Sequence, residues 1–522
     1  MELTWLSLVP PLVVIGAMFL IQQLNISLII GIITAALIAA QGHPFPALAL
    51  CMQKCVEHFS DVDVVFLYTL LIVVSSLIVL LTVTGSAAGC ARIMSAKMKT
   101  ARSGELATVL LGFLLSIDDY LSILTTGLVM GTMADRLAIV RTKLAYIIHA
   151  LAGPLVIVVP ISTWAAAVLA QLDTAGVNQS ATSRIFADSF YVYITTIPFV
   201  FYSLFTVSAV WLVVATRIGF GAIGNAERRM SLGVIVDQQL QKDTTEHSLI
   251  ELLLPIGLLI TGVFFGILYA GGYHLFGGTH MFIEAFRYNN QTFLILLISS
   301  SVAFVSSIIL SLYKKLFLIS QLPSVVIEGF NLIKSSIVMV VLASILGSFL
   351  RLELQTGNYL AYLLLGKTPL FLIPVLLFLG SSLIALMTGS AWGAFAMLIP
   401  ISTQMLIGLM GLNTPVSLEQ IPLLFPVLGA VLSGAACGNH LSPFAETTFM
   451  TAASTGTDPI EHAKTQFLYA IPVIIGTLVS FIVAGLVVDR GLWHCFLISG
   501  GAGIITTIGL LVGFAYGKKA SD

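Results

Sequence analysis

Two short polar stretches interrupt long apolar sequence: Ser116-Ile117-Asp118-Asp119-Tyr120 and Gly438-Asn439-His440-Leu441-Ser442-Pro443-Phe444-Ala445-Glu446-Thr447-Thr448. Both put carboxylates at apparent bilayer depth. An acidic side chain at the centre of a membrane helix costs roughly 2.5–3.5 kcal/mol on insertion scales. A chain that accepts this cost twice is expected to use those groups on something that crosses the membrane.

Asp118 and Asp119 are adjacent, so on a regular helix they would point about 100° apart. At the tip of an opened hairpin both can face one cavity. The nearest basic residues are Arg102 and Arg136, beyond helical reach of either acid. A carboxylate buried without a cation partner favours its neutral form, which suits it to trade a proton for a metal ion such as Na⁺. Alternatively the tip reaches water and the two acids only cap the following helix.

Pro154 and Pro160 bracket an apolar run, and Ser162-Thr163-Trp164 follows. Proline inside a membrane span frees backbone carbonyls, and hydroxyls add the hard oxygen ligands that Na⁺ prefers. Serine and threonine in such helices also bond the preceding turn's carbonyl, so Ser162 and Thr163 carry weight only through their position. His149 reads either as a proton relay or as a packing histidine bonded to a neighbouring helix. Gly389 and Gly393 permit close backbone approach, with Ser390 and Trp392 beside the cavity. From Asn439 to Thr448, Asn439, Ser442, Glu446, Thr447 and Thr448 supply one carboxylate and four neutral oxygen-bearing groups, and Pro443 opens the helix. Trp164, His440 and Pro443 are expected at the cavity wall.

The elements that position these residues follow from composition and charge. The chain is 58% hydrophobic and 9% charged, against about 25% charged for soluble domains, so lipid must be its solvent. Apolar runs recur throughout, for example 63–85, 249–270 and 291–312, each long enough to cross about 30 Å of hydrocarbon as a helix. Residues 5–23 read as a retained membrane helix: the chain's start lacks the basic region of a secretory signal. Cys51, Cys55, Cys90, Cys437 and Cys495 form no CxxC pair and are expected to pack rather than to bind metal.

Basic residues gather in cytoplasmic loops. Arg92, Lys97, Lys99 and Arg102, then Arg217, Arg228, Arg229 and Lys242, then Lys314 and Lys315, and finally Lys518 and Lys519 mark four such segments. An even number of crossings must separate the first two, yet three apolar blocks lie between them. The parity closes if 105–134 is a re-entrant hairpin with Asp118 and Asp119 near its tip and with Arg136, Arg141 and Lys143 in its exit loop. Similar reasoning makes 369–411, interrupted at Thr388 to Gly393, a second hairpin, entering from outside. Arg351 and Lys367 fall on the outer side and run against the rule.

The expected fold is therefore an all-α polytopic membrane protein, with about 11 transmembrane helices and two re-entrant hairpins in an inverted-topology repeat with broken helices. Its parts are accessory helices 1–62, a first repeat 63–215 (hairpin near 105–134, broken helix 144–172), a cytoplasmic linker 216–248 and connecting helices 249–330. A second repeat 331–488 (hairpin 369–411, broken helix 421–455) and a C-terminal helix and tail 489–522 complete it. Several transporter classes hold their substrate at the midplane between such half-helices.

Asp118-Asp119-Tyr120, Asp135-Arg136, Thr142 to Ile147, Gly153-Pro154 and Ser162-Thr163-Trp164 resemble the first-half block of NhaC-type Na⁺/H⁺ antiporters. Gly389 to Gly393, Gly438-Asn439-His440, Ser442-Pro443, Glu446-Thr447-Thr448, Thr465-Gln466 and Tyr469-Ala470 resemble its second-half block. The resemblance spans roughly 63–488 and implies an ion-coupled secondary carrier of a bacterial inner membrane. This chain is a divergent member. Where the family pattern reads Gly-Asp-His-x-Ser-Pro-x-Ser-Asp-Thr-Thr, it has Asn439, Ala445 and Glu446. Where the pattern reads Asp-Ser-Thr-Ala-Ala-Pro, it has His149-Ala150-Leu151-Ala152-Gly153-Pro154. Fewer carboxylates leave less charge to hold Na⁺, so H⁺ coupling through Asp118, Asp119 or Glu446 and carriage of a small amino acid or carboxylate stay open beside cation exchange.

A passive channel is the second class considered, since polar tips would serve a filter too. An intramembrane enzyme is not expected: neither HExxH nor GxSxG occurs. No cofactor is expected beyond coupling or transported Na⁺ and H⁺. The expected partners are the lipid bilayer, a small cation and a small organic solute, with a homodimer left open and no nucleic acid. The expected orientation has the N-terminus outside and the C-terminus cytoplasmic.

Overall fold

The computed structural model describes residues 4–21, 23–95, 98–180, 183–230 and 249–517. Lys97, Lys242, Lys518, Lys519 and most of the expected linker lie outside them. Among the described residues ten helices are long and apolar enough to cross a membrane. An eleventh span is counted if Leu24–Ala39 and Pro44–Ser60, bent by 119°, are one. Among the described residues the one sheet is Val177–Asn178 paired in parallel with Ile185–Phe186. The protein is an all-α polytopic membrane protein.

Two hairpins stand out. In the first, Ala101–Leu114 starts from a capping box between Thr100 and Ser103, and Asp118 caps the return arm Asp119–Ala134. At 1.5 Å per residue these arms rise only about 21 and 24 Å, short of a bilayer's hydrocarbon core. In the second, Ile373–Thr388 ends at Gly389, whose φ of 66° permits the reversal. Ser390 then caps Ala391–Leu409 by accepting the Gly393 N–H at 3.3 Å.

A broken helix follows each hairpin. Arg141–Ala150 stops ahead of the proline, and Pro154 lies in the first turn of the short Gly153–Val156 helix. Thr163–Thr174 resumes after Pro160, capped by Ser162. In the second half Leu424–Leu441 breaks at Ser442 to Ala445 and Glu446–Thr455 continues. One expectation needs correction: Lys143 is not a loop charge. It is buried inside Arg141–Ala150, paired with Glu105 at 2.9 Å and Glu227 at 2.7 Å.

The packing repeats itself between the halves. The leading helices Val62–Val83 and Leu322–Ser348 lie against each other, as do the closing helices Phe201–Thr216 and Pro459–Val487. Each hairpin's first arm packs on the first piece of its own broken helix. The second arms cross over: Asp119–Ala134 rests on Glu446–Thr455, and Ala391–Leu409 on Thr163–Thr174. Gly131 lets the first of these contacts close, since a Cβ there would sit 2.8 Å from the Ser454 carbonyl oxygen. Exchanging the halves maps these pairings onto one another, the contact pattern of an inverted repeat.

Candidate functional site

The first crossing joins a hairpin tip to the gap of a broken helix. Asp118, 4% exposed, accepts the Leu121 N–H and the Thr163 hydroxyl, both at 3.0 Å. The chain is held there also by the Thr163 N–H on the Ile117 carbonyl at 3.1 Å. Asp119, 5% exposed, opens the return helix. Because Asp118 is extended and Asp119 helical, both side chains reach one hollow of about 20 Å³, shared with Ser75, Thr163, Ser336 and Trp392. No lysine or arginine among the described residues pairs with either acid. Two buried acids and several hydroxyls around a space of one water's size can hold a hard cation or a proton.

The second crossing has a different chemistry. Asn439 donates its amide to the Gly389 carbonyl at 2.9 Å, tying the broken helix to the hairpin tip. Ser442 accepts the Phe444 N–H at 3.2 Å, and Thr448 donates to the Ser442 carbonyl at 2.7 Å. Ser390 points its hydroxyl toward the Met339 sulfur at 3.9 Å. Glu446 is exposed and accepts the Tyr120 hydroxyl at 2.7 Å, linking it to the first hairpin.

The sequence-expected residues therefore divide. Asp118, Asp119 and Thr163 meet with Trp392 at the hollow, and Trp164 packs edge-on against Trp392 with ring centroids 6.5 Å apart. Ser162 is spent on bridging the break, accepting the Ala165 N–H of the helix it caps and donating to the Val156 carbonyl of the short helix before it. Pro443 and Glu446 lie exposed rather than at the hollow's wall. Gly393 faces Leu24, with a Cβ 3.0 Å from that side chain, so it serves packing and not the cavity.

His149 and His440 do not stand alone. His149 bonds His462 at 2.9 Å and Thr447 at 3.2 Å. His440 bonds Tyr202 at 2.8 Å and Gln466, all buried. His462 lies 313 residues from its partner, and no local pattern announces such a pair.

A cavity of about 610 Å³ lies elsewhere. Its wall includes Asp63, Asp173 and Ser344, at the ends of Val62–Val83, Thr163–Thr174 and Leu322–Ser348 that are remote from the hollow. The separation is about 12–18 Å along these helices at 1.5 Å per residue. Gln171 donates to Ser344 at 3.3 Å near this cavity's floor. Lys54 pairs with Glu57 and Glu353, while Arg351 lines the space. Arg351, which the charge rule left on the expected outer side, thus lines a polar vestibule.

Hairpins crossed with broken helices around buried, cation-free acids define a secondary transporter. Residues 172–486 match the Na⁺/H⁺ antiporter family, more than half of the chain, and the protein belongs to that family. The matched segment holds the second crossing and begins within Thr163–Thr174, so Asp118 and Asp119 precede it. An uncharacterized protein of Haemophilus influenzae is 27% identical over 522 residues, 98% of this chain and 95% of that one. The YdaH transporter of Alcanivorax borkumensis, noted for an unusual topology, superposes with a TM-score of 0.57 at 15% identity, over 85% of this chain and 89% of that chain. At that identity the likeness is one of fold. MtrF of Neisseria gonorrhoeae, from a class of antimetabolite efflux pumps, aligns at a TM-score of 0.46 and 13% identity over 86% of this chain and 85% of that one.

Proposed function

We propose that the protein is an ion-coupled secondary active transporter of the bacterial inner membrane, Na⁺/H⁺-antiporter-like, working by alternating access with its coupling site at Asp118 and Asp119. One observation carries the reading: two acids buried side by side, without a cation partner, at the meeting of a hairpin tip and a helix break. Burial with no countercharge is costly unless a cation or proton arrives. The exchange of the two is then the chemistry such a site performs. Thr163 orients Asp118 from the opposite element, so relative movement of hairpin and broken helix alters the ligand set.

The same fold offers room for a second reading, transport of a small amino acid or carboxylate coupled to H⁺ or Na⁺. The 610 Å³ vestibule, lined by both Arg351 and Asp173, lies in the range of small-molecule sites, whereas the hollow takes only an ion. The full-length chain in proteoliposomes, challenged with Na⁺, Li⁺ and K⁺ gradients and read by a pH dye, separates the two. Dye recovery driven by an ion alone supports exchange. Proton or Na⁺ movement only when a labelled amino acid or carboxylate is added supports solute coupling. Full coupled flux by both Asp118→Asn and Asp119→Asn removes the coupling site from either reading.

A further inference from the structure

We infer that Ser75 is a ligand of the coupling cation and tunes the site's preference among hard monovalent ions. This rests on the coupling-site reading above and extends it to a residue on a separate helix.

Val62–Val83 carries Thr69, Ser75, Ser76 and Thr82. Thr69, Ser76 and Thr82 each donate to the carbonyl four residues back, at 2.8 to 2.9 Å, the ordinary fate of a hydroxyl in a membrane helix. Ser75 is different. Its hydroxyl is buried, the residue 1% exposed, and it has no hydrogen-bond partner among the described residues. A buried polar group left without a partner is costly and calls for an explanation. The explanation lies in where it points, for Ser75 lines the hollow that holds Asp118 and Asp119.

The donor set then has a definite character. It comprises two carboxylates, the Thr163 oxygen already oriented by its bond to Asp118, the Ser336 oxygen and the free lone pairs of Ser75. All are hard oxygens, without thiolate or imidazole, which selects an alkali cation over a transition metal. A space of about 20 Å³ admits a body the size of one water or one bare ion, and no organic solute. Being neutral, the Ser75 hydroxyl contributes a dipole rather than charge. It should govern affinity and size preference while the acids set the charge exchanged. Its place on Val62–Val83 has a mechanical side too: an ion bound by Ser75 and the acids would tie the leading helix to the hairpin tip.

The test compares wild type with Ser75→Ala, Ser75→Thr and Asp119→Asn as full-length proteins in proteoliposomes, titrated separately with Na⁺ and Li⁺. Expected for Ser75→Ala is an approximately tenfold rise in the half-saturating Na⁺ concentration, as for the loss of one ligand to a charge, with a smaller fall in maximal rate. The Na⁺ to Li⁺ preference should shift about threefold or more. Ser75→Thr, which keeps the oxygen, should recover most of the affinity. Unchanged Na⁺ and Li⁺ half-saturation in Ser75→Ala, while Asp119→Asn abolishes transport, overturns the ligand role and leaves the coupling site standing; it would mean that Ser75 meets only water. Equal loss of affinity in Ser75→Thr and Ser75→Ala also overturns it, assigning Ser75 to packing. Full coupled transport by both Asp118→Asn and Asp119→Asn strikes the underlying reading instead.

Discussion

The two crossings share a skeleton and differ in charge. At the first, two buried acids face hydroxyls across a small hollow. At the second, an asparagine amide meets a glycine carbonyl, and the one nearby acid, Glu446, is exposed and bonded to Tyr120. Each tip reverses through a side-chain cap, Asp118 in one case and Ser390 in the other. The backbone problem of ending and restarting a helix is thus solved alike in both halves. Charge is chosen independently of it. A symmetric frame need not carry two equal sites, and in the function proposed above the first crossing binds while the second holds its shape.

The largest effect should come from removing the charge of the first crossing. Asp118→Asn or Asp119→Asn is expected to reduce coupled flux by at least about a hundredfold, in line with losing a buried charge interaction, while the detergent-solubilised protein keeps its size-exclusion profile. Giving the second crossing a charge sharpens the contrast. Asn439→Asp replaces the amide donor to the Gly389 carbonyl by an acceptor, so at neutral pH a roughly tenfold loss of rate is expected. The protonated acid can donate again, so the rate should rise as pH falls; a rate that falls further with acid would break the comparison.

Gly389→Ala addresses the shared skeleton rather than charge. It forces φ of 66° on a residue whose Cβ would sit 3.1 Å from the Phe444 carbonyl oxygen and the Ala445 nitrogen. A loss of about 1–2 kcal/mol in stability is expected, visible as a lower melting temperature in detergent. The smallest effect should lie outside the spans, where Arg287 pairs with Glu419 at 2.5 Å. The bond from Arg287 holds the Glu419 carboxyl down to about 2. A depressed carboxylate contributes above its ordinary pKa and loses that contribution as pH falls toward its folded value. Glu419→Gln should therefore cost no more than about 1 kcal/mol at neutral pH, as exposed pairs do, and the cost should vanish as pH falls through about 2. Thermal unfolding across pH reads it.

Hairpins and breaks were legible because Pro, Gly and capping residues act locally, and because loop charges constrain the parity of crossings. Asp118 and Asp119 were legible because acids are rare in apolar sequence. What stayed hidden depends on distant partners. Ser75 and Ser76 are indistinguishable in a helical run, yet only Ser76 finds its carbonyl. The His149–His462 contact joins the two halves of the chain, and the vestibule is assembled from the ends of several helices. Lys143 misled because a lysine buried between two glutamates and a lysine in a loop look alike until folded.

The crossing-over of the return arms bears on leakage. Asp119–Ala134 leans on Glu446–Thr455, and Ala391–Leu409 leans on Thr163–Thr174. Under the alternating-access mechanism proposed above, neither tip would tilt without pushing against the opposite half, so both would move as one lever with a single throw. A carrier wired in this way would resist standing open to both compartments, and loosening the Gly131–Ser454 contact is where such a short circuit would begin.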